Sequence, residues 1–398
     1  MKSHRAPIQK IYDSLPVNVK KTVDRAFEIL LATKQKGGKI LVVTGSGPNI
    51  HEGVTTLIAE MIRKGIIDGV TTSSAVVAHE MAGTLEKVRR VNGLSLGFAR
   101  EMLPRGFTFE ITLLDDSTLA QLQKEMPIDL DLFAKAKALP GQDIIKAAGN
   151  MAYPLGLRTE ELAKEILLIA RSRGVPFEKV AGAAADPMTM IGAAQRAGIP
   201  CLVTVPQLIG GGMVGIAIAD SISIMQRTTE IAHMLAEADV IIESAVALTQ
   251  EIHDGPFETY TGHGIWAHWT GLPTVSLKDK RLIRIDLDPN LQRAWEFERT
   301  SSRVQQAIDQ GLPKTKLLDI PFRMEMSGFA RLEQSLPIVG DIGAIWPILA
   351  CKLEAALDIE FDFMSCPQQT PEGAAMREWI VQHVRPVQKA NIYLNDSA

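Results

Sequence analysis

The stretch KILVVTGSGPNIHEG (residues 39–53) decides the fold class of this chain. It begins with a short apolar, β-branched run and ends in a turn of glycine, serine, proline and asparagine. The segment EGVTTLIAEMIRKGII (52–67) then spaces its apolar residues as a helix does, and DGVTTSS (68–74) has the composition of a second strand. The order strand, turn, helix, strand is typical of an α/β fold.

The same alternation continues toward the C-terminus. RTEELAKEILLIARSRGVP (158–176) predicts a helix that Thr159 caps at its start and that ends at Gly174. Further strands are predicted in four apolar segments: KVAGAAA (179–185), IPCLVTV (199–205), ADVIIESAVAL (238–248) and RLIRIDLD (281–288). Such a succession predicts a Rossmann-like, three-layer α/β architecture, in which helices cover both faces of a mostly parallel sheet.

We expect the whole chain, residues 1–398, to form one large domain. A length of 398 residues allows either one large α/β domain or two smaller ones. No repeat or low-complexity linker divides the sequence. Residues 100–150 fit the alternation least, and they are predicted to form an insertion or subdomain.

The composition is that of a globular protein, with 46% hydrophobic and 22% charged residues. A formal net charge of −4, without a dense Lys/Arg tract, argues against nucleic acid as a partner. The cysteines Cys201, Cys351 and Cys366 form no C-x-x-C pair, which argues against a disulfide framework or a cysteine-rich zinc site. The N-terminus lacks an apolar signal core, and no apolar run reaches about 18 residues. We therefore expect a cytoplasmic protein without a membrane partner.

Two glycine-rich segments follow predicted strands, TGSGPNIHEG (44–53) and LIGGGMVGIAIAD (208–220). Ligands of open parallel sheets bind where the carboxyl ends of strands meet loops, so the backbone N–H groups of these turns are candidates for binding an anion. Neither segment matches G-x-G-x-x-G or the P-loop pattern, and glycine turns also simply end strands. A third segment, RIDLDPN (284–290), places acids after a strand, but its DPN end is ordinary turn sequence.

These segments resemble, in the same order along most of the chain, the deoxyhypusine synthase superfamily. The matching segments are TGSGPNIHEGVTTLIAEMIRKGIIDGVTTSSA (44–75), GVPFEKVAGAAADP (174–187), LIGGGMVGIAIAD (208–220), ALTQEIHDGPFETYTGHGIWAHW (247–269) and VGDIGAIWPILACKLE (339–354). Members of that superfamily bind NAD on a Rossmann-like sheet and are oligomers, so the resemblance implies an NAD cofactor and a homotetramer or homodimer. It implies NAD contacts at Gly45, Ser46, Asn49, Thr72, Ser73, Ser74, Asp186, Gly210, Gly211, Gly212 and Asp341.

One departure from that superfamily bears directly on the reaction. Its catalytic lysine, which forms an imine with the transferred aminobutyl group, follows a tryptophan by two residues. In this chain Trp266 is followed by Ala267 and His268. A histidine cannot form the stable imine that a lysine amine forms. Deoxyhypusine synthesis is therefore not the reaction expected first.

A second resemblance rests on two histidines. The segments GPNIHEGVTTL (47–57) and SAVVAHEMAG (74–83) are similar to segments of the NAD-dependent ornithine cyclodeaminase family, also called the LOR/SDH conserved-region family. They place His51 and His79 at both histidines of that family. In both families NAD takes a hydride from a carbon that bears an amine and leaves an imine, which water or another amine then attacks.

This chemistry needs a base that deprotonates an ammonium group, and histidine suits that role because its pKa lies near neutrality. His51 and His79 follow the first two strands and are the candidate bases. The alternative is that a loop histidine caps a helix or bonds a backbone carbonyl. Glu52 and Glu80, which adjoin them, are expected to be acids at helix N-termini rather than catalytic groups.

The loop HDGPFETYTGHGIWAHW (253–269) supplies the remaining candidates, which are Asp254, Glu258, His263, Trp266 and His268. A carboxylate there would bind a substrate ammonium, and the indole would pack over an alkyl or cationic chain. The alternative is a lid whose aromatic residues pack on the domain or on a partner subunit. The histidines of this loop lack the spacing of H-E-x-x-H or of a zinc finger, so no metal is expected.

The sequence thus predicts an NAD-dependent enzyme that acts on a small amine or amino acid by oxidation to an imine. Deamination with cyclisation, as in a lyase, or amine transfer, as in a transferase, would follow. Two alternatives stay open. One is an aminobutyl transferase of the deoxyhypusine or homospermidine synthase type, and the other is a non-catalytic NAD-binding protein.

Overall fold

A computed structural model describes residues 4–45, 47–149, 151–245, 257–258, 275–277, 279–286, 293, 296, 300–311 and 335–394. Contacts divide the chain into two compact units. The first unit comprises Gly45–Ile231 and the segment from Glu360 onward, and the second comprises the segment up to Thr44 together with Ala232–Ile359. The prediction that one domain spans the chain stays a prediction.

The helices and strands alternate along much of the chain. The helices are α1 (Arg5–Ser14), α2 (Val17–Gln35), α3 (Pro48–His51), α4 (Val54–Arg63), α5 (Ser74–Met81), α6 (Asp116–Glu125), α7 (Leu130–Ala138), α8 (Leu155–Arg173), α9 (Phe177–Ala184), α10 (Met190–Ala197), α11 (Met213–Ser221), α12 (Ile224–Glu237), α13 (Ser302–Asp309), α14 (Ile342–Ala356), α15 (Pro371–His383) and α16 (Lys389–Leu394). The strands are β1 (Ile40–Thr44), β2 (Gly69–Thr72), β3 (Leu85–Asn92), β4 (Thr108–Thr112), β5 (Gly141–Ala147), β6 (Ala152–Tyr153), β7 (Cys201–Val203), β8 (Val240–Ser244), β9 (Phe257–Glu258), β10 (Val275–Ser276), β11 (Arg281–Asp286) and β12 (Ser335–Val339).

The second unit is built on parallel strands in the order β12-β11-β8-β1. β1 and β8 are buried along their whole length, as the apolar segments 39–45 and 238–248 predict. Helices α2 and α14 pack against these strands. Glu243 and Arg284 are paired in register on β8 and β11, and their side chains form a fully buried ion pair with an N–O distance of 2.6 Å.

The first unit contains a parallel pair, β2 and β7, and a separate four-stranded sheet. The order of that sheet is β5-β3-β4-β6, with β3 antiparallel to both of its neighbours. The segment 100–150 supplies β4, β5 and two helices to it. A small apolar cluster of Val91, Ile111, Phe133 and Ala136 lies beneath these elements. The α/β class with parallel strands covered by helices is confirmed.

Two local predictions are wrong. KVAGAAA (179–185) is not a strand, because Phe177–Ala184 forms α9, which packs on α10. Alanine favours a helix, and a Cβ at Gly182 would lie 2.5 Å from the carbonyl oxygen of Ile191, so small residues permit this close packing. Thr159 does not cap α8, which begins at Leu155; its hydroxyl donates to the Leu155 carbonyl at 3.0 Å.

Other helix features agree with the sequence. α8 ends at Arg173 and is capped by Gly174, whose φ of 62° lies in the left-handed region that glycine adopts readily. In the described part of the chain, no helix combines the length and the apolar character that spanning a membrane requires.

A buried ion pair joins three elements of the first unit. Arg227 of α12 lies 2.5 Å from the carboxylate of Glu178 in α9, and both side chains are almost wholly buried. The same carboxylate accepts from the amide of Val203 in β7 at 2.7 Å. Two buried charges are tolerated only when each is paired and hydrogen-bonded, so this contact constrains how the three elements pack.

Replacing Arg227 by methionine should lower the free energy of unfolding by about 3–5 kcal/mol, because the carboxylate of Glu178 stays buried without its counter-ion. The double variant Glu178→Gln/Arg227→Met should lose less free energy of unfolding than Arg227→Met alone, because no unpaired carboxylate is left buried. Urea unfolding of the full chain measures both. The control is Lys164→Met, which breaks an exposed pair with Glu161 and should cost about 1 kcal/mol or less. A loss for Arg227→Met no larger than that of the control would contradict the role of the pair.

Candidate functional site

Two histidines of the first unit, in the segments that follow β1 and β2, lie within electrostatic range of each other. His51 is the last residue of α3, and His79 lies near the end of α5. The ring of His79 is close enough to act electrostatically on that of His51 and to lower its pKa. The structure therefore brings together the two histidines that the sequence selects.

The ring of His79 is held by the backbone that follows β5. Its Nδ1 forms a short hydrogen bond with the carbonyl oxygen of Ala148. A carbonyl only accepts, so Nδ1 carries the proton and the neutral ring presents its lone pair at Nε2. Gly149 lies against the same ring, since a Cβ there would be 3.0 Å from Nδ1. One ring nitrogen thus bonds a carbonyl, as the structural alternative predicts, while the other can still take a proton.

Both imidazoles have pKa values below the ordinary 6.5. Burial is the largest cause for each ring, since it disfavours the charged form. The cations Arg377 and Lys146 lower the pKa of His51 further, and Lys146 also lowers that of His79. The hydrogen bond to Ala148 acts in the opposite direction on His79. Both rings are therefore neutral at pH values near 7, the form in which an imidazole accepts a proton.

Lys146 and Arg377 are site residues that the sequence analysis missed. Lys146 lies in β5 and bonds the carboxylate of Glu110 in β4, which also accepts from Arg90 at 2.8 Å. Arg377 lies in α15 and donates from Nη2 to the carbonyl of Ile145. No motif includes either cation. Lys146 lies in the segment that fits the α/β alternation least, and Arg377 lies in a helix beyond the last matched segment.

Glu86 is a buried acid that the sequence analysis also missed. Its carboxylate accepts from the hydroxyl of Thr112 at 2.8 Å and from the amide of Gly149 at 3.1 Å. Burial raises the pKa of Glu86 to about 7, although these donors and Lys146 act against the rise. Because Gly149 lies against the ring of His79, the carboxylate of Glu86 helps to fix the position of that ring.

The acids beside the two histidines have structural partners. Glu80 is fully buried, and its two oxygens accept from the amides of Met190 and Ile191 at the start of α10. Glu80 therefore binds a helix N-terminus, as the sequence predicts, but the helix is α10 and not α5, to which Glu80 belongs. Burial raises the pKa of Glu80 to about 7. Glu52 accepts from both the backbone and the side-chain amide of Gln368, at 2.8 and 2.7 Å.

The predicted NAD contacts after β1 and β2 are buried and in part bonded to one another. The side-chain amide of Asn49 donates to the carbonyl of Gly45 at 3.2 Å. Ser73 caps α5 by accepting from a backbone amide of its first turn at 3.2 Å. Thr72 lies at the end of β2, and its hydroxyl is buried without a partner among the described residues.

The glycine loop after β7 packs on the start of α5. The hydroxyl of Ser74 accepts from the amide of Gly210 at 2.7 Å. A Cβ at Gly211 would lie 2.9 Å from the Cβ of Ala78, and both Gly211 and Gly212 have positive φ, near 70°. Glycine is therefore required there for the close approach of loop and helix, whether or not a ligand also binds.

The two predicted acids of the cofactor site have backbone partners. Asp186 accepts from the amide of Met188 at 2.8 Å and from that of Arg385 at 3.0 Å. Asp341, in the second unit, caps α14 by accepting from the amide of Gly343 at 2.9 Å. Contact of these two acids with a cofactor stays a prediction.

Several predicted site residues lie outside the described residues. They are Ser46, Asp254, His263, Trp266 and His268, of which the last four belong to the loop 253–269. Glu258 of the same loop lies in β9. Their roles stay predictions. Among the residues that are described, no group of three or more His, Cys, Asp or Glu side chains is arranged to hold a metal ion.

No family model and no curated protein matches this chain. Solved structures match at low identity. The ternary complex of AgrE with ornithine and NAD+ has 13% identity and a TM-score of 0.41, covering 87% of this chain and 34% of that one. A candidate LOR/SDH protein from Methanococcus maripaludis has 13% identity and a TM-score of 0.39, and the match covers 87% of this chain and 70% of that one. A candidate deoxyhypusine synthase from Entamoeba histolytica has 11% identity and a TM-score of 0.42, and the match covers 87% of this chain and 92% of that one.

The matched structures include both groups that the sequence motifs resemble. This chain spans about a third of the length of AgrE.

Two substitutions test which cation acts on which imidazole. Lys146→Met should raise the pKa of both His51 and His79, whereas Arg377→Met should raise that of His51 alone. NMR titration of the imidazole resonances measures this, with His51→Gln and His79→Gln for assignment. In the unsubstituted protein both rings should titrate below pH 6.5. An equal response of both rings to Arg377→Met would contradict this arrangement.

Glu86 should make stability depend on pH. Between its ordinary pKa of 4.5 and its folded value of about 7, the folded protein keeps a proton that the unfolded chain has released. Stability therefore falls as pH rises through this window, by about 3 kcal/mol relative to Glu86→Gln. Urea unfolding at about pH 5 and about pH 8 measures the difference, with Glu161→Gln as the exposed control. Parallel changes in the protein and in Glu86→Gln would refute the prediction.

Proposed function

We propose that this chain is an NAD-dependent enzyme that oxidises a small amine or amino acid to an imine. Deamination with cyclisation, or transfer to another amine, then follows. The observation that carries the proposal is the pair of neutral imidazoles, His51 and His79, with the Nε2 lone pair of His79 available. In neutral water an amine is an ammonium ion, and a neutral imidazole is the side chain suited to deprotonate it.

Features of the first unit fit a dinucleotide cofactor. The hydroxyls of Thr72 and Thr204, at the carboxyl ends of β2 and β7, are buried and lack partners among the described residues. A Cβ at Gly47 would meet no described atom within 4 Å, so the backbone there is open to a ligand. The residues of the first unit that would hold NAD are Gly45, Ser46, Asn49, Thr72, Ser73, Ser74, Asp186, Gly210, Gly211 and Gly212. When bound, NAD would accept the hydride from the carbon that bears the amine.

The residues of this chain have separate tasks in the proposed reaction. His79 takes the proton of the substrate ammonium at Nε2, which leaves an amine whose carbon can release a hydride. The substrate is then a protonated imine. His51 lies within electrostatic range of this ring, and its own lowered pKa keeps it neutral, so that it can accept a second proton when water or an amine attacks the imine. Asp254, Trp266 and His268 are proposed to line the substrate from the loop 253–269.

A second candidate is an aminobutyl transferase of the deoxyhypusine or homospermidine synthase type. Lys146 favours it, because a lysine amine beside the two histidines could form the imine that His268 cannot. Its test is borohydride trapping with spermidine and NAD. Labelled protein that loses its label in Lys146→Met would support this candidate, and unlabelled protein would reject it.

NAD should stabilise the full-length protein. At a concentration of about 100 times the Kd, one bound ligand adds about 2.7 kcal/mol to the free energy of unfolding. Thermal unfolding with and without NAD or NADP measures the shift. No shift with either dinucleotide would contradict the cofactor and, with it, the proposed function.

His79→Gln should lower the rate of NADH formation by about 10²–10⁴-fold on the best amine or amino acid of a panel, because the base is lost. NAD binding should not change. The matched control is His233→Gln, an exposed histidine of α12, which should keep full activity. Saturable NAD binding without an NADH signal across the panel would favour a non-catalytic NAD-binding protein instead.

A further inference from the structure

We propose that Arg377 and Lys146 form a carboxylate-binding site beside His51 and His79, so that the substrate is an amino acid rather than a plain amine. The amine chemistry in this inference rests on the proposed function. The carboxylate site rests on the geometry at the end of β5, where these side chains converge.

The backbone after β5 collects groups from separate elements. The carbonyl of Ile145 accepts from Arg377 of α15, and the carbonyl of Ala148 accepts from His79 of α5. Lys146 lies between these two carbonyls in the chain. The short helix α3, which ends at His51, packs against the same strand. Two cations and two neutral bases therefore share one small region.

Arg377 retains donors for a ligand. Within the described part of the chain it makes one hydrogen bond, through Nη2, and its Nε is buried without a partner. The neighbouring carboxylates are engaged elsewhere: Glu52 accepts two bonds from Gln368, and Glu378 lies 3.5 Å from the ammonium of Lys87. A guanidinium has five N–H donors in a planar fork that matches a carboxylate.

The charge at this place is positive. Lys146 and Arg90 share the single carboxylate of Glu110, so the three groups have one positive charge in excess. Arg377 adds a cation at the carbonyl of Ile145. Glu52 and Glu378 act electrostatically on this guanidinium, and Glu378 is shared with Lys87. The lowered pKa of His51, on which both Arg377 and Lys146 act, agrees with a positive potential. A bound carboxylate would offset this excess.

An α-amino acid carries a carboxylate on the carbon whose amine is oxidised. Arg377 would hold the carboxylate while His79 takes the ammonium proton. Two groups on the reacting carbon would then be bound, and together they fix the orientation of the substrate. The pyrophosphate of NAD is the other anion that such cations could bind. The carboxylate is favoured because the cations act on the imidazoles, where the reacting amine has to lie.

Matched probes test the inference by binding alone. The full-length protein, with and without saturating NAD, is titrated calorimetrically with L-ornithine and 1,4-diaminobutane, and with L-lysine and 1,5-diaminopentane. The members of each pair differ only in the carboxylate. At least one amino acid should bind about ten- to a hundredfold more tightly than its diamine.

Variants assign the difference to the two cations. Arg377→Met should abolish most of the preference for the amino acid and leave the Kd of the diamine and of NAD unchanged. Arg377→Lys, which keeps the charge but not the planar fork of donors, should retain part of the preference for the amino acid. Lys146→Met should also weaken the binding of the amino acid. Arg171→Met removes an exposed arginine paired with Asp220 and should change nothing.

Three outcomes would overturn the inference. The first is a diamine that binds as tightly as its amino acid, and the second is NAD binding without any amino-acid binding. Both would overturn the inference and leave the proposed function intact. Weaker NAD binding in Arg377→Met, with the amino acid unaffected, would assign the cations to the pyrophosphate instead. Failure of NAD itself to bind would count against the proposed function, independently of the probe pairs.

Discussion

The arrangement of the site depends on the buried carboxylate of Glu86. One of its oxygens accepts from the hydroxyl of Thr112 in β4, and the other accepts from the amide of Gly149 after β5. A polar group in the interior is costly unless such donors surround it, so β3, β4 and the backbone after β5 are held in one arrangement. Ala148 precedes Gly149, and its carbonyl sets the orientation of the ring of His79.

The same requirement recurs elsewhere in the first unit. Glu80 is satisfied by two amides at the start of α10, and Glu178 is satisfied by Arg227 and the amide of Val203. A hydrogen bond to a charged group contributes about 1.5–3 kcal/mol, whereas a buried charge that loses its partner costs more. These acids therefore fix the packing of loops and helices. The histidines, whose pKa values are lowered, are neutral near pH 7 and can accept a proton there.

Part of this arrangement can be predicted from short stretches of sequence, because it depends on neighbours in the chain. The run 39–53 predicts β1 and the turn after it, and the motifs around His51 and His79 select two rings that interact electrostatically. KVAGAAA (179–185) fails as a strand prediction for a physical reason. A run of small apolar residues suits a strand or a helix equally, and the contact of Gly182 with Ile191 decides for the helix.

By itself, the sequence determined the α/β class and the positions of the two histidines just after buried strands, since apolar periodicity and turn residues are local properties. Only the tertiary structure decided which charges face those rings. Lys146 comes from the segment with the weakest pattern, and Arg377 comes from a helix near the C-terminus. Their meeting with His51 depends on the register of β3, β4 and β5 and on the packing of α15. Such contacts arise from many small interactions between distant parts of the chain, and no short motif encodes them.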